Sequence, residues 1–427
     1  MPHDSADPAV PGTDPGAAPL LELEVGPVAH GGHCVARVDG RVVFVRHALP
    51  GERVRARVTE GGDSAKFWRA DAVEVLDASP DRVPSAWPAA GPGGVGGGEL
   101  AHVSLDGQRR WKAAVLREQL TRLAQDEREV TVEAAPGDDV RGGLGYRTRI
   151  DLVADAAGRA GMRAHRSHDV HPLDAMPLAT DEVAALAAAE KVFTRRWRPG
   201  TRLELVAPSG GAPILLADGV VWRGGPDTRP NARRTVAEHV EVAGHEHRYK
   251  VAADGFWQVH REAPALLAGT VLDAVGDVAG ARVLDLYAGA GLFTAPLARA
   301  VGPDGTVVAV EGDDDAVRQA RRNAHGLDQV ELHRGAVDAV LGAGEHAARG
   351  GADVVVLDPP RVGAGRRVVE QVAALGASRV VYVACDPAAL ARDVAYLAGH
   401  GYGLTSVRAF DLFPHTHHVE AVAVLDR

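Results

Sequence analysis

Residues 283–293 read Val-Leu-Asp-Leu-Tyr-Ala-Gly-Ala-Gly-Leu-Phe, an apolar strand that runs through a glycine-rich turn into a helix. The glycines allow a ligand to approach the backbone closely. Glu311 ends the next apolar strand, where a carboxylate can accept hydrogen bonds from both ribose hydroxyls of a nucleoside cofactor. This stretch predicts an open α/β sheet with a nucleoside cofactor at its carboxyl edge.

The pattern of strand and helix continues to the C-terminus. Apolar strands are expected at 283–286, 306–310, 330–332, 353–357 and 379–383. Strands buried on both faces and joined by helices indicate a doubly wound, Rossmann-like parallel sheet. Two last strands, near 405–410 and 419–425, have only a short turn between them, which predicts an antiparallel strand in the same sheet.

The N-terminal half has a different organisation. Residues 1–18 are rich in Pro, Asp and Gly and are expected to be disordered. Five short strands follow, with Asp39-Gly40 as a hairpin turn, and predict a small closed or partly open barrel. A helix is expected at 104–125. Residues 130–252 should form a mixed α+β region with hairpins at 155–158 and 214–222.

Composition excludes several classes of protein. The chain has 427 residues, enough for two or three domains, and a formal net charge of −10, which argues weakly against nonspecific coating of nucleic acid. Its two cysteines, Cys34 and Cys385, cannot build a disulfide scaffold or a Cys-rich metal site, and a reducing cytoplasm fits best. The sequence shows neither a membrane span nor a signal peptide.

Arginines are nevertheless concentrated in three stretches, where local basic surfaces are possible although solvated faces are the more ordinary interpretation. These stretches comprise Arg53, Arg55 and Arg57; Arg147, Arg149, Arg159, Arg163 and Arg166; and Arg195, Arg196, Arg198 and Arg202.

Three reactive side chains follow or begin neighbouring strands. Cys385 ends the strand at 379–383 and precedes Asp386-Pro387, a position suited to a nucleophile, although a buried structural cysteine is the simpler alternative. Asp358-Pro-Pro-Arg361 ends the strand before it, and Glu420 begins the last strand. An aromatic residue follows Asp/Asn-Pro-Pro in amino-methyltransferases of nucleobases, so Arg361 disfavours methylation of an amine.

The glycine turn favours S-adenosylmethionine over a nicotinamide cofactor. Thr294 occupies the position of the third glycine in a dinucleotide-binding turn, and Asp285 lies within the preceding strand. Asp-x-aromatic-x-Gly-x-Gly resembles motif I of the class I methyltransferases.

The chain as a whole resembles the RNA uridine-5-methyltransferase family. Four segments carry the resemblance: Asp358-Pro-Pro-Arg361-x-Gly363, Cys385-Asp386-Pro387, Pro414-x-Thr416-x-His418-Val419-Glu420 and Phe256-Trp-Gln258. The N-terminal barrel resembles a TRAM domain, an RNA-binding module. The resemblance implies Cys385 as nucleophile and Glu420 as proton acceptor. It further implies cofactor contacts from Gln258, Tyr287, Gly289, Gly291, Glu311 and Asp358, and substrate contacts from Arg361 and His418.

This resemblance leads to expectations for architecture and reaction. We expect a TRAM domain at 19–77, a central RNA-binding domain at 78–98 and 130–252, and a catalytic domain at 99–129 and 253–427. The expected reaction is methylation of carbon 5 of a uridine in RNA by a monomeric cytoplasmic enzyme, and the TRAM domain favours 23S ribosomal RNA. A transfer-RNA enzyme and an inactive RNA-binding assembly factor remain alternatives, whereas a cytosine-5-methyltransferase is disfavoured because its Pro-Cys motif is absent.

One feature of many relatives is missing from the sequence. They hold an iron–sulfur cluster with four cysteines, but the matching positions here lie in Trp87-Pro88, Val95-Gly-Gly-Gly98 and Met176-Pro177. Since such clusters need thiolate ligands, we predict that this chain binds none. The histidines at 415, 417 and 418 are poorly spaced for zinc and more plausibly shape the base pocket.

Overall fold

The computed structural model describes residues 20–62, 64–165, 167–342 and 350–427. They form two compact units: one contains the residues up to 29 and 33–82, and the other contains 30–32 and 83–427. The predicted tail at 1–18 and Arg166 lie outside the described residues. None of the helices in the described ranges is long and apolar enough to cross a membrane.

The smaller unit is a six-stranded sheet with the order β1-β5-β6-β4-β3-β2. Its strands are β1 (Leu20–Glu24), β2 (Val28–Ala29), β3 (His33–Val38), β4 (Arg41–Arg46), β5 (Arg53–Glu60) and β6 (Phe67–Asp77). Asp39 and Gly40 have φ angles of 49° and 78° and join the antiparallel strands β3 and β4, which confirms the predicted hairpin. In β5 the arginines point outward, whereas Val54 and Ala56 are buried.

A long helix, α1 (Leu105–Gln119), lies near the start of the larger unit. Ser104 caps it by accepting a hydrogen bond from Gly107 N, and a π-helical turn at Leu120–Ala124 continues it to Gln125, where φ is 57°. These limits agree with the helix predicted at 104–125.

The central region contains a second six-stranded sheet, with the order β10-β9-β8-β11-β12-β13. Its elements are β8 (Arg149–Ala154), β9 (Ala160–Arg163), β10 (Val170–Pro172), α2 (Asp181–Ala189), β11 (Arg202–Val206), β12 (Ile214–Ala217) and β13 (Val220–Trp222). Both predicted hairpins are present, because β8 pairs with β9 and β12 pairs with β13 in antiparallel fashion.

The C-terminal region is an eight-stranded sheet with the order β18-β17-β16-β19-β20-β22-β21-β7. Its strands are β7 (Val132–Ala134), β16 (Arg282–Leu286), β17 (Thr306–Glu311), β18 (Val330–Arg334), β19 (Val354–Leu357), β20 (Arg379–Ala384), β21 (Gly403–Asp411) and β22 (Glu420–Asp426). The helices are α3 (Ala263–Val275), α4 (Thr294–Val301), α5 (Asp314–Asn323), α6 (Val337–Gly342), α7 (Gly365–Ala374) and α8 (Pro387–Ala398). The pairs from β18 to β20 are parallel, and β22 is antiparallel to both of its neighbours, as predicted.

Two segments expected within the central domain also pack against the C-terminal region. The remaining strands, β14 (Thr235–Val242) and β15 (His245–Ala252), form a hairpin whose inward residues share one apolar core with β11 and β12 of the central sheet and with β16 and β17. Strand β7 joins the C-terminal sheet through β21. The sequence does not distinguish these arrangements, because an alternating apolar strand has the same pattern whichever core it covers.

Candidate active site

The register of the sheet aligns the predicted residues at one edge. Leu286 in β16 is paired with Leu357 in β19, so Tyr287 and Asp358, the residues that follow, leave the sheet side by side. A hydrogen bond from Asp358 N to Leu286 O, at 3.2 Å, continues this pairing. The ends of two adjacent parallel strands therefore bring Tyr287 and Asp358, two predicted cofactor residues, together at the carboxyl edge of the sheet.

Cys385 and Glu420 meet across an antiparallel pair of strands. Ala384 at the end of β20 is paired with Ala421 in β22, and Cys385 and Glu420 are the next positions outward on either strand. Cys385 is partly exposed, whereas Glu420 is only 3% exposed. A partly accessible thiol thus lies beside a buried carboxyl group.

Burial and like charges perturb both groups. Desolvation, reinforced by the charge of Glu420, raises the pKa of Cys385 to about 11. Burial and the nearby Asp358 raise the pKa of Glu420 well above its usual range, and Arg361 opposes both shifts. The pKa of Asp358 itself rises to about 7 through desolvation and the charge of Asp285. Such strongly perturbed neighbours are typical of a reaction site.

Two carboxyl groups accept hydrogen bonds from the glycine-rich turn and the start of the helix that follows it. Asp285 is fully buried, accepts a hydrogen bond from the hydroxyl of Thr294, and has a pKa raised by burial to about 6. Glu311 accepts hydrogen bonds from Gly289 N at 2.8 Å and Asp313 N at 2.7 Å, one on each oxygen. Each oxygen keeps a second lone pair, so the carboxylate remains able to accept two ribose hydroxyls.

Three residues of this turn have φ angles that favour glycine. Gly289 and Gly291 have φ of 57° and 93°, and Tyr287 has φ of 66°. A non-glycine residue at such an angle is unusual and marks a conformation that the surroundings impose. The conformation of the turn therefore fits a nucleoside cofactor. Asp285 precedes the turn in β16, and Glu311 contacts it through Gly289 N.

Gln258 follows a segment whose backbone is hydrogen-bonded to a buried arginine. Arg149 donates hydrogen bonds to the carbonyl oxygens of Ala253 at 3.2 Å and Gly255 at 3.0 Å, and forms an ion pair with Glu238. Arg149 belongs to the second arginine stretch, but its role here is structural. Gln258 itself is partly buried.

The loop that carries Arg361 is held by Asp393 of α8. This carboxylate is fully buried and accepts hydrogen bonds from Tyr382 Oη and Ala364 N, both at 2.7 Å. Gly363 has φ of 77°, and a Cβ atom there would lie 2.6 Å from Asp393 Oδ2. Only glycine fits this position, so the glycine of the Asp-Pro-Pro-Arg-x-Gly segment is needed for the shape of the loop.

Two polar side chains of helix α1 contact the segment that precedes Glu420. Lys112, which is 0% exposed, forms an ion pair with Asp411 and donates a hydrogen bond to Phe413 O at 3.0 Å. Gln108 accepts a hydrogen bond from His415 N at 2.6 Å. This loop therefore has a defined conformation although it contains no helix or strand.

A chain of contacts runs from Glu99 to Arg361 along the same loop. Glu99 accepts hydrogen bonds from the backbone and the ring of His417, and the rings of His417 and His418 are 4.1 Å apart. His418 Nε2 lies 3.4 Å from Arg361 Nη2. Burial and the neighbouring His417 lower the pKa of His418 to about 3, so its Nε2 accepts a hydrogen bond from the guanidinium.

These side chains enclose a small pocket beside the thiol. Its volume is about 180 Å³, and its lining includes Trp111, Arg361, Cys385, His417 and His418. Within the described ranges, no group of three or more His, Cys, Asp or Glu side chains is arranged to hold a metal ion. Two of the three histidines predicted to shape the base pocket, His417 and His418, line this pocket.

Sequence reasoning did not identify Glu99, Gln108, Lys112 or Asp393. Each is a buried polar residue whose partner lies on another element, in three cases about 300 positions away along the chain. A polar residue within an amphipathic helix predicts a solvent-facing position. Gln108 and Lys112 lie on the buried side of α1 although they are polar, and Asp393 is likewise buried on α8.

Comparison with known families matches both parts of the chain. Residues 20–73 match the TRAM domain, and residues 231–427 match the family described as tRNA (Uracil-5-)-methyltransferase. The second match begins just before β14.

Individual proteins match over nearly the whole length. An uncharacterized RNA methyltransferase of Bifidobacterium longum is 44% identical, with 95% of this chain and 96% of the relative covered. The 23S rRNA (uracil(1939)-C(5))-methyltransferase of Alkalilimnicola ehrlichii is 34% identical, with 95% and 96% covered.

A solved structure shares the fold. The tRNA (uracil-54, C5)-methyltransferase of Pyrococcus abyssi, in complex with S-adenosyl-L-homocysteine, superposes with a TM-score of 0.68 at 23% identity, covering 95% of this chain and 100% of the other. The C-terminal sheet thus has the fold of this methyltransferase. With its TRAM domain and its extended similarity to these enzymes, the chain belongs to the RNA uracil-5-methyltransferase family.

Proposed function

We propose that this protein methylates carbon 5 of a uridine in 23S ribosomal RNA through a covalent bond between Cys385 and carbon 6 of the base. The observation that carries the proposal is the adjacency of Cys385 and Glu420 across the strand pair Ala384–Ala421. Cys385 lines a pocket of about 180 Å³, and a nucleophile there with a base on the neighbouring strand suits addition to a ring followed by proton removal.

Cys385 begins the reaction. Carbon 5 of uracil is a weak nucleophile, and addition of a thiolate to carbon 6 converts the ring into an enolate whose carbon 5 is reactive. With the pKa of Cys385 raised to about 11, the thiol is protonated at neutral pH and has to lose this proton to solvent before it can add. Arg361 favours the thiolate and lines the same pocket, where its charge can stabilise the enolate.

Glu420 completes the reaction. Once carbon 5 carries the methyl group, its remaining proton must be removed before the bond between carbon 6 and sulfur can break. Burial near Asp358 raises the pKa of Glu420, so Glu420 must be ionised when it acts, and its carboxylate is then a stronger base than an exposed one. Elimination transfers the carbon 5 proton to Glu420, releases the Cys385 thiolate and restores the uracil ring.

The residues at the glycine turn fit S-adenosylmethionine. Glu311 retains acceptor capacity for the ribose, and Tyr287, Gly289, Gly291 and Asp358 border the same edge, with Gln258 in the preceding segment. When bound there, the cofactor supplies an electrophilic methyl group on a sulfonium. The chain's contribution is to orient that group toward the pocket beside Cys385.

The choice of 23S ribosomal RNA rests on relatives. Two proteins named 23S rRNA (uracil(1939)-C(5))-methyltransferase, from Alkalilimnicola ehrlichii and Pseudomonas entomophila, are each 34% identical to this chain over more than 90% of its length. The TRAM domain supports an RNA substrate in general. We further propose that the enzyme acts as a monomer in the cytoplasm.

The residues do not fit an iron–sulfur cluster. Trp87, Val95 and Met176, which occupy positions that match cluster ligands in relatives, pack in one apolar core. A Cβ atom at Gly98, the fourth position, would lie 2.7 Å from the Trp87 ring. Since thiolates are required as ligands, we propose that apolar packing replaces the cluster in this chain. Stoichiometric iron and acid-labile sulfide in protein purified without oxygen would contradict this.

Methyl transfer from radiolabelled cofactor into RNA tests the proposed function. Wild-type protein should label 23S ribosomal RNA from a strain that lacks the corresponding gene, and mapping should find 5-methyluridine at one position. Cys385→Ala should abolish transfer while leaving cofactor affinity unchanged. Labelling of transfer RNA instead would refute the target, and wild-type turnover by the variant would refute the mechanism.

A further inference from the structure

A basic groove lies on the hairpin β14–β15 and the end of helix α5. It has a volume of about 540 Å³, and its lining includes Arg248, Lys250, Arg321 and Arg322 together with His239 and His325. No acidic residue lines it. The formal net charge of the chain is −10, so a concentration of positive charge on one surface is unexpected.

The groove differs from the arginine stretches that are visible in the sequence, because many of those arginines are already paired. Arg55 in the TRAM domain is bonded to Glu74 at 2.9 Å. In the central region Arg159 is bonded to Asp155 at 2.9 Å, and Arg198 contacts Asp218 at 2.9 Å. Paired cations attract a polyanion less strongly, since the internal partner must first be displaced.

Three cations of the groove have no such partner. Within the described residues, the side chains of Lys250, Arg321 and Arg322 form no ion pair, whereas Arg248 is bonded to Glu246 at 2.8 Å. All three are exposed. The dipole of α5 accounts for two arginines in its last turn, but it explains neither Lys250 on the neighbouring strand nor the absence of acidic residues from the lining.

Asn323 fixes the groove beside the cofactor turn. Its side chain accepts a hydrogen bond from Lys250 N at 2.8 Å and donates one to Ala290 O, also at 2.8 Å. Ala290 lies between Gly289 and Gly291 of the glycine-rich turn. The groove is therefore rigidly attached to the edge of the sheet where the proposed reaction takes place.

We propose that this groove binds the phosphodiester backbone of the substrate RNA, away from the uridine that is methylated. The inference rests on the proposed function for the identity of the polyanion. Lys250, Arg321 and Arg322 each contact a phosphate, so the hairpin and helix α5 add RNA contacts within the larger unit. Contacts of this kind position an RNA without reading its sequence.

The salt dependence of RNA binding tests this surface directly. The variant Lys250→Gln/Arg321→Gln/Arg322→Gln should bind a 23S RNA fragment more weakly, with a slope of log affinity against log salt that is shallower by ~2. Methyl transfer to a short uridine oligonucleotide, which occupies the pocket alone, should be unchanged. The matched control is Arg117→Gln/Arg122→Gln, two exposed arginines with acidic partners at 2.9 and 3.9 Å, and it should leave the slope unchanged.

The outcomes separate the groove from the proposed function. An unchanged slope in the triple variant, or an equal change in the control, would overturn the groove proposal. Failure of the wild-type protein to methylate any RNA would overturn the proposed function, yet the binding slopes could still be compared. Thermal unfolding and cofactor affinity of the variants, which should match the wild type, show that the fold is intact.

Discussion

Cys385 and Glu420 flank the same cross-strand pair, Ala384–Ala421, although they are separated by 35 positions in the chain. The antiparallel insertion of β22 next to β20 creates this adjacency. In a fully parallel sheet the start of β22 would lie at the opposite edge from the end of β20. The departure from parallel topology thus has a direct chemical consequence, since it places a carboxyl group beside a thiol.

Glu420→Gln should trap the covalent intermediate. The amide cannot accept the proton from carbon 5, so elimination stops while addition of Cys385 proceeds. We expect a protein–RNA adduct that survives denaturing electrophoresis and forms only when S-adenosylmethionine is supplied. The double variant Cys385→Ala/Glu420→Gln is the control and should show none. A slow enzyme without adduct would assign the proton transfer to another group.

The reactivity of Cys385 should depend on the charge of Glu420. With the pKa of Cys385 raised to about 11, alkylation by iodoacetamide should be slow at neutral pH and accelerate in alkali. A negative neighbour disfavours the thiolate, so Glu420→Gln should shift the alkylation profile to lower pH. Glu420→Asp retains the charge and should shift it little. Mass spectrometry distinguishes Cys385 from Cys34, whose thiol has a pKa raised by burial.

Glu311→Ala should weaken cofactor binding. The variant loses the acceptor for the ribose hydroxyls and also the carboxylate that holds Gly289 N and Asp313 N. Hydrogen bonds to a charged group contribute about 1.5–3 kcal/mol, which corresponds to an affinity roughly 10- to 100-fold lower by calorimetry. Asp313→Ala removes only the cap of α5 and serves as control. Equal affinities in the wild type and Glu311→Ala would exclude a ribose contact.

The sequence predicted the sheet and the edge at which the candidate site residues lie, for a physical reason. When apolar strands alternate with helices, only a few sheet topologies are compatible with the sequence. Side chains that follow the ends of parallel strands then lie at the same edge of that sheet. Asp358, Cys385 and Tyr287 could therefore be placed from their positions alone. The long-range polar contacts of Lys112 and Glu99 could not, because nothing local in the sequence specifies a partner 299 or 318 positions away.

The same limit explains the domain boundary and the basic groove. The alternation of hairpin β14–β15 fits either core, and in the fold its residues share a core with strands of both regions. The groove combines Lys250 with Arg321 and Arg322, so no single stretch of sequence displays it. The arginine stretches are more conspicuous in the sequence, but several of their members, such as Arg55 and Arg198, form ion pairs in the fold.

Glu99→Gln should disturb both stability and turnover. Glu99 is 9% exposed, and although burial opposes ionisation, the hydrogen bonds from His417 hold the pKa of Glu99 well below its usual range. A carboxyl group whose pKa is lowered by folding stabilises the protein above its unfolded-state pKa, and this contribution is lost as the pH falls. The variant should therefore be less stable by about 1.5–3 kcal/mol at neutral pH, and the difference should shrink below about pH 4.

The effect on turnover follows from the contact chain that leads from Glu99 through His417 and His418 to Arg361. Without the carboxylate, the two rings lose the bond that fixes them at the pocket beside Cys385, so kcat should fall while cofactor affinity stays unchanged. Glu118→Gln, which removes an exposed partner of Arg122, should change neither quantity. Chemical denaturation across pH and single-turnover methyl transfer measure the two effects. A Glu99→Gln enzyme that is destabilised but transfers methyl groups at the wild-type rate would limit this residue to folding.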